Sequence, residues 1–251
     1  MVITLTILVI LGSGASEGIP ALNCRCESCQ EAKRMPIAKR MPTSILVLSK
    51  VNFLVDVGFD VMNKIGDLDL EFILLTHWHP DHYSGLFRLR WSSRPISLYA
   101  PKEGLIDEFK REPRNLKLKF VQPYETFEHE GIKITPIPLI HKIETLGYLI
   151  DDGNARIAIL FDGRGPSNRD VDLIRSFGTN LALIDATNHP NFYDPNHNNI
   201  DEAIEIGRRV KASLTVLTHI AHHNMPFAEL TSYVRKFEGI VLAYDDMVLH
   251  L

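Results

Sequence analysis

Phe72-Ile73-Leu74-Leu75 runs without interruption into Thr76-His77-Trp78-His79-Pro80-Asp81-His82, so four apolar residues deliver three histidines and an aspartate to one point in the chain. The apolar run reads as a buried strand. Proline at position 80 has no N–H to donate to a ladder, which forces a turn and allows the following side chains to converge. Imidazole suits Zn, Mn, Fe or Co, and a carboxylate adds charge and can reach a second ion. Any one of these histidines reads equally well as a polar loop residue or a satisfied core histidine. Four such groups within six residues favour a metal cluster, because unpaired polar groups are costly to bury.

Two ions need more ligands than this segment holds. Candidates recur in the same placement: His141 after Ile134–Ile140, Asp162 after Ile157–Phe161, and His219 after Leu214–Thr218. A cap or core role for either histidine, and a plain turn at Asp162-Gly163, remain open when each is taken alone. Around them the pattern predicts strands at Val2–Leu11, Ser44–Leu48, Asn52–Val57, Phe72–Leu75, Ile96–Tyr99, Leu116–Val121, Ile132–Ile137, Leu146–Ile150 and Arg156–Leu160. Helical spacing over Pro166–Phe177 and Asn199–Val210 is followed each time by an apolar run, Leu181–Ile184 and Leu214–Leu217. A β-rich first part followed by helix–strand alternation predicts an α+β fold with two sheets packed face to face and helices outside.

The 251 residues, 45% of them hydrophobic, suffice for one large domain covering 1–251. With 27 basic and 31 acidic residues the formal charge is −4, which disfavours nucleic acid as a partner. Val2–Leu11 is too short for a bilayer core of about 30 Å and lacks a basic flank, so no membrane association is expected and a cytoplasmic location is. Gly12-x-Gly14 is followed by Glu17 where a dinucleotide loop needs a third glycine. The three cysteines fall together as Cys24-x-Cys26-x-x-Cys29, too tightly for a disulfide framework. Thiolate metal binding, which needs a fourth ligand from elsewhere, competes with a redox or merely buried trio.

The segment His77-x-His79-x-Asp81-His82 resembles the hallmark of the metallo-β-lactamase fold superfamily. That resemblance implies an αββα four-layer sandwich. It also implies one ion held by His77, His79 and His141, a second held by Asp81, His82 and His219, and Asp162 bridging them. Asp56 matches an aspartate that orients a ligand histidine. Over nearly the whole chain the sequence is similar to the PhnP family of phosphodiesterases. The shared pattern is Gly12-Ser13-Gly14-Ala15 with Gly18-Ile19-Pro20, the cysteine trio, Gly85-Leu86-Phe87-Arg88-Leu89-Arg90-Trp91, Gly147-Tyr148-Leu149, Leu217-Thr218-His219-Ile220 with His222, and Tyr244-Asp245-Asp246-Met247.

The PhnP resemblance implies that His222 completes a structural zinc site with the cysteines. It implies two catalytic divalent ions, Zn or Mn, and catalytic roles for His197 and Asp81. The implied substrate is a phosphorylated sugar, 5-phospho-α-D-ribosyl 1,2-cyclic phosphate, opened to ribose 1,5-bisphosphate in phosphonate breakdown; the implied assembly is a homodimer. Gly163 stands where the family has threonine, and an extra residue falls near Asn188-His189. Arg164, Lys142 and Arg90 lie close to these motifs in sequence, yet each reads first as a solvated surface charge. The competing readings are a 2′,3′-cyclic nucleotide or RNA-end phosphodiesterase, as ribonuclease Z is, a thioester or lactam hydrolase, and a non-catalytic zinc-stabilised binding protein.

Overall fold

Alternation of side chains along single strands divides the apolar residues among three layers. In a computed structural model that describes residues 5–59 and 61–251, Leu8 and Ile10 face one layer and Leu11 the opposite one; Phe53 and Val55 are likewise separated from Leu54. On later strands Ile157 and Ile159 share the central layer while Ala158 and Leu160 point to the third. A period of two with both faces apolar is what a sheet covered on both sides requires. The result is an αββα sandwich.

Fourteen strands are described: β1 Ile7–Gly12, β2 Ser44–Leu48, β3 Asn52–Val55, β4 Leu70–Leu74, β5 Ile96–Ala100, β6 Leu116–Phe120, β7 Phe127–His129, β8 Ile132–Leu139, β9 Thr145–Asp151, β10 Arg156–Leu160, β11 Leu181–Asp185, β12 Leu214–Thr218, β13 Ile240–Leu242 and β14 Met247–His250. They form two seven-stranded sheets, ordered β14-β1-β2-β3-β4-β5-β6 and β13-β12-β11-β10-β9-β8-β7. Strands β3 to β6 run parallel in the first sheet, and β10 to β13 in the second. The loops leaving the carboxyl ends of such strands are where α/β sheets present ligands. Phe53 stacks on Phe72 at 4.4 Å between the sheets. No described helix is long and apolar enough to cross a membrane.

Boundaries differ from expectation for local reasons. Residues 2–4 of the expected first strand lie outside the described residues, and β1 begins at Ile7. β3 stops at Val55 because Asp56 takes a left-handed φ of 57°, which turns the chain out of the ladder. β8 continues through Pro136 and Pro138 to Leu139. Strand β7 pairs only with Ile132–Ile134, so on that side the prolines sit at an edge and no ladder donor is missing. The first predicted helix starts at Asn168, with Ser167 accepting a bond from the Asp170 amide, and ends before Gly178, whose φ is 74°. The second is Ile200–Val210, closed by a capping box between Asn199 and Glu202. Strands β7, β13 and β14 have three or four residues each, too few to show a period.

Candidate metal centre and its cavity

Loops from three parallel strands and one antiparallel strand bring the expected ligands to a common point. His77 to His82 follow β4, His141 follows β8, Asp162 follows β10, and His219 follows β12 with a left-handed φ of 60°. Asp162 lies at the centre. Its Oδ2 is 3.6 Å from His77 Nε2, 3.8 Å from His141 Nε2, and 3.5 Å from both His82 Nε2 and His219 Nε2. His79 Nδ1 sits 2.8 Å from His77 Nε2 and 3.1 Å from His141 Nε2. On the other side Asp81 Oδ2 is 3.1 Å from His82 Nε2. Two groups of donors therefore share one carboxylate: His77, His79, His141 and Asp162, and Asp81, His82, His219 and Asp162, each with ligand atoms within 4.8 Å of one another.

The ring nitrogens opposite three of these donors, on His77, His82 and His219, are fixed. Asp56, fully buried, accepts from the Thr76 amide at 2.7 Å, from Thr76 Oγ1 at 2.8 Å and from His82 Nδ1 at 2.6 Å. Thr76 Oγ1 also reaches His77 Nδ1 at 2.9 Å. Thr187 Oγ1 donates to Asp185 at 3.0 Å and lies 2.9 Å from His219 Nδ1. Such contacts set the tautomer and aim Nε2 at the centre.

Charge follows the same geometry. Burial holds His77 well below the usual imidazole range and lowers His79 and His141 as well, so all three offer lone pairs at neutral pH. Burial alone would raise the Asp162 carboxyl, but His219, His197 and His82 outweigh it and hold it well below the usual range. Asp81 goes the same way beside His82 and His219. Burial opposes protonation of His82, and Asp56 and Asp81 reverse that.

Cations fit this donor set. His82 Nε2 and His219 Nε2 are buried with no hydrogen-bond partner among the described residues, although both point at Asp162. Unpartnered buried nitrogens beside a carboxylate, with lone pairs of three neutral imidazoles converging 2.8–3.1 Å apart, are what a metal ion satisfies and what protein contacts alone leave costly.

Comparison with known proteins agrees with the geometry. A model of the beta-lactamase superfamily domain matches residues 51–220. The chain belongs to the beta-lactamase superfamily. Among solved structures of this superfamily fold, a diphosphatase from the PhnP family superposes with a TM-score of 0.86 at 28% identity, over 98% of each chain, so the chain resembles the PhnP family and carries the metallo-β-lactamase sandwich. An octanoyltransferase of Porphyromonas gingivalis is 28% identical over 86% of this chain, which spans only 46% of that protein. A ribonuclease Z of Archaeoglobus fulgidus is 22% identical, over 75% of this chain and 83% of its own length.

A second cluster lies nearby. Cys24, Cys26, Cys29 and His222 place their ligand atoms within 4.8 Å of one another. Cys24 Sγ and Cys26 Sγ lie 3.3 and 3.6 Å from His222 Nδ1. Tetrahedral zinc with bonds of about 2.3 Å to sulfur and about 2.0–2.1 Å to nitrogen separates such atoms by roughly 3.5 Å. Hydrogen bonds from neighbouring thiols and amides bring the Cys24 thiol down to about 7, and burial pushes the Cys29 thiol up to about 12.

The centre opens into a cavity of about 510 Å³. His197 lines it, with Nδ1 2.7 Å from Asp162 Oδ1 and 3.0 Å from Asp185 Oδ2. Burial opposes its protonation, but those two carboxylates raise the imidazole to about 11. Lys142 is the one Lys or Arg among the described lining residues. Arg164 turns instead to Glu202 and the Asp194 carbonyl, and Arg90 to Glu108 at 2.8 Å. Sequence reasoning passed over Asp185, although it closes the apolar run of β11 just as Asp162 closes that of β10. It also passed over Thr187, Asn188 and His223, whose placement depends on loop contacts with no local pattern.

Proposed function

We propose that this chain is a dinuclear-metal phosphodiesterase of the PhnP type, hydrolysing 5-phospho-α-D-ribosyl 1,2-cyclic phosphate to ribose 1,5-bisphosphate. The observation that supports it most is the position of Asp162 Oδ2, 3.5–3.8 Å from four imidazole nitrogens contributed by both halves of the donor set. His77, His79 and His141 would hold one ion, Asp81, His82 and His219 the other, and Asp162 both. Bound there, two divalent ions supply positive charge to a phosphoryl group and acidify water at neutral pH. Cys24, Cys26, Cys29 and His222 would hold a structural zinc.

The residues of the chain divide the remaining work. Water adds to phosphorus and the bond from phosphorus to the 2-oxygen of the sugar breaks. His197, anchored through Nδ1 by Asp162 and Asp185, keeps Nε2 available to bind the phosphate or to give that oxygen its proton. Asp81 keeps its negative charge beside His82. A homodimer, a cytoplasmic setting and a role in phosphonate breakdown belong to the same reading.

The likeness to ribonuclease Z favours a second reading, cleavage of 2′,3′-cyclic nucleotides or RNA ends. Phosphorus NMR of the Mn- or Zn-loaded protein with both substrates separates the two. Faster opening of the phosphoribosyl cyclic phosphate is expected; faster opening of 2′,3′-cyclic AMP would transfer the assignment to the second reading, and no turnover of either with two metals bound would remove the phosphodiesterase. Light scattering tests the dimer.

A further inference from the structure

One wall of the cavity is built from residues that neither ion needs. Asn188, 1% exposed, lines the cavity, and among the described residues its Nδ2 has no hydrogen-bond partner. Its Oδ1 is already taken by His223 Nε2 at 2.9 Å. The backbone is held on both sides, by Asn188 N donating to the Asn198 carbonyl at 3.1 Å and the Ile200 amide donating to the Asn188 carbonyl at 3.0 Å. With the main chain held and Oδ1 on His223, the amide presents Nδ2 unpartnered. A buried donor with no acceptor is costly, a cost that an acceptor carried in by a ligand would remove.

The surroundings define the acceptor. Phe192, half exposed, sets its ring 6.3 Å from that of His223, and both line the cavity together with Glu17. Glu17 is itself held, accepting from the His222 amide at 3.1 Å. A carboxylate and an aromatic face repel a second phosphate but suit hydroxyl groups and the flat side of a sugar or base. Lys142 is the cavity's one described Lys or Arg and follows the metal-centre residue His141, away from this wall in sequence.

We infer that Asn188 and His223, with Phe192 and Glu17 beside them, form the subsite that recognises the uncharged, hydroxyl-bearing part of the substrate, the sugar or nucleoside next to the phosphodiester. The subsite rests on the phosphodiesterase reading for its orientation: the phosphate lies at the metal centre and the sugar oxygens reach Asn188 Nδ2. Asn188 is a specificity residue here, and His223 is a positioning residue that holds the amide with its donor side toward the cavity.

Calorimetry of the metal-loaded protein with ribose 5-phosphate and with inorganic phosphate tests this without turnover. The wild type is expected to bind the sugar phosphate at least tenfold more tightly. Asn188→Ala should lose about tenfold for the sugar phosphate and nothing for inorganic phosphate. His223→Leu should lose a similar factor, and His223→Gln, which keeps an N–H toward Asn188 Oδ1, should recover part of it. Equal affinity for the two ligands in the wild type, or an equal loss for both in the variants, overturns the subsite. Hydrolysis of bis(p-nitrophenyl) phosphate, which carries no sugar, is measured alongside: its absence from the wild type would remove the phosphodiesterase reading while leaving the binding comparison to be judged by itself.

Discussion

The two metal-ligand clusters are built in opposite ways. The histidine–aspartate centre gathers side chains spread from His77 to His219 and fixes three of its histidines, His77, His82 and His219, from behind through Asp56, Thr76, Asp185 and Thr187. The cysteine cluster takes three ligands from six consecutive residues and a fourth from His222, and Cys24 and Cys26 are partly exposed. His219 and His222 stand three residues apart yet serve different clusters. Between them and beyond, the loop is tied down by Asn224, whose Nδ2 donates to the Ala186 and Thr187 carbonyls at 3.1 and 3.0 Å and whose carbonyl accepts from Ser28 Oγ at 2.8 Å. Ser28 lies in the helix Glu27–Arg34 that begins beside the cysteines. A centre meant to do chemistry has its ligands oriented by a layer of buried hydrogen bonds; a centre meant to tie segments together needs only reach.

That contrast can be broken by substitution. Asp162→Asn should have the largest effect, a loss of turnover on the order of 10²–10³-fold or more, with metal analysis falling toward the single equivalent held by the cysteines. Full metal content with near-normal rate would show that the shared carboxylate is dispensable. Asp56→Asn touches neither ion, yet should cost 10–100-fold in metal affinity or rate, read by competition with a chelator; an unchanged affinity would mean that His82 is oriented by packing alone. Thr187→Val, which removes one contact to His219 Nδ1 and one to Asp185, should cost roughly tenfold at most and shift the second ion more than the first. Cys26→Ser should leave the rate per folded molecule within a small factor while stability falls. A ligand held at about 1,000 times its dissociation constant contributes about 4 kcal/mol, which at this chain length is roughly 8–16 °C in Tm. A calorimetric scan that shows no shift, or a rate that collapses with Tm intact, would erase the distinction between the two clusters.

Metal removal sharpens the same comparison. Dialysis against a chelator should strip the half-open cysteine cluster and the buried centre at different rates, since Asp56 and Asp162 are almost wholly buried whereas Cys24 and Cys26 are not.

Much of this was written along the chain. The family resemblance supplied His222, Asp56 and His197, close spacing singled out Cys24, Cys26 and Cys29, and apolar runs ending in His or Asp marked His77, His79, Asp81, His82, His141, Asp162 and His219, all of which the structure brings to the two clusters or beside the larger one. Their signal is local: a strand supplies the rigid element, and a proline or glycine after it stops the ladder and aims the next side chain. The helices expected over Pro166–Phe177 and Asn199–Val210 are found at Asn168–Phe177 and Ile200–Val210, each start fixed by a local cap, Ser167 or Asn199.

What tertiary structure alone decided is the set of partners that meet. Only the approach of the β10 loop to the β4, β8 and β12 loops puts Asp162 among four histidines, and only the clamp of Asn188 between Asn198 and Ile200 leaves its amide facing the cavity without a partner. Periodicity and turn chemistry act over a few residues and can be read from them. The distance between two strand-end loops is fixed by sheet order and inter-sheet packing across the whole chain, and no short stretch of sequence carries it.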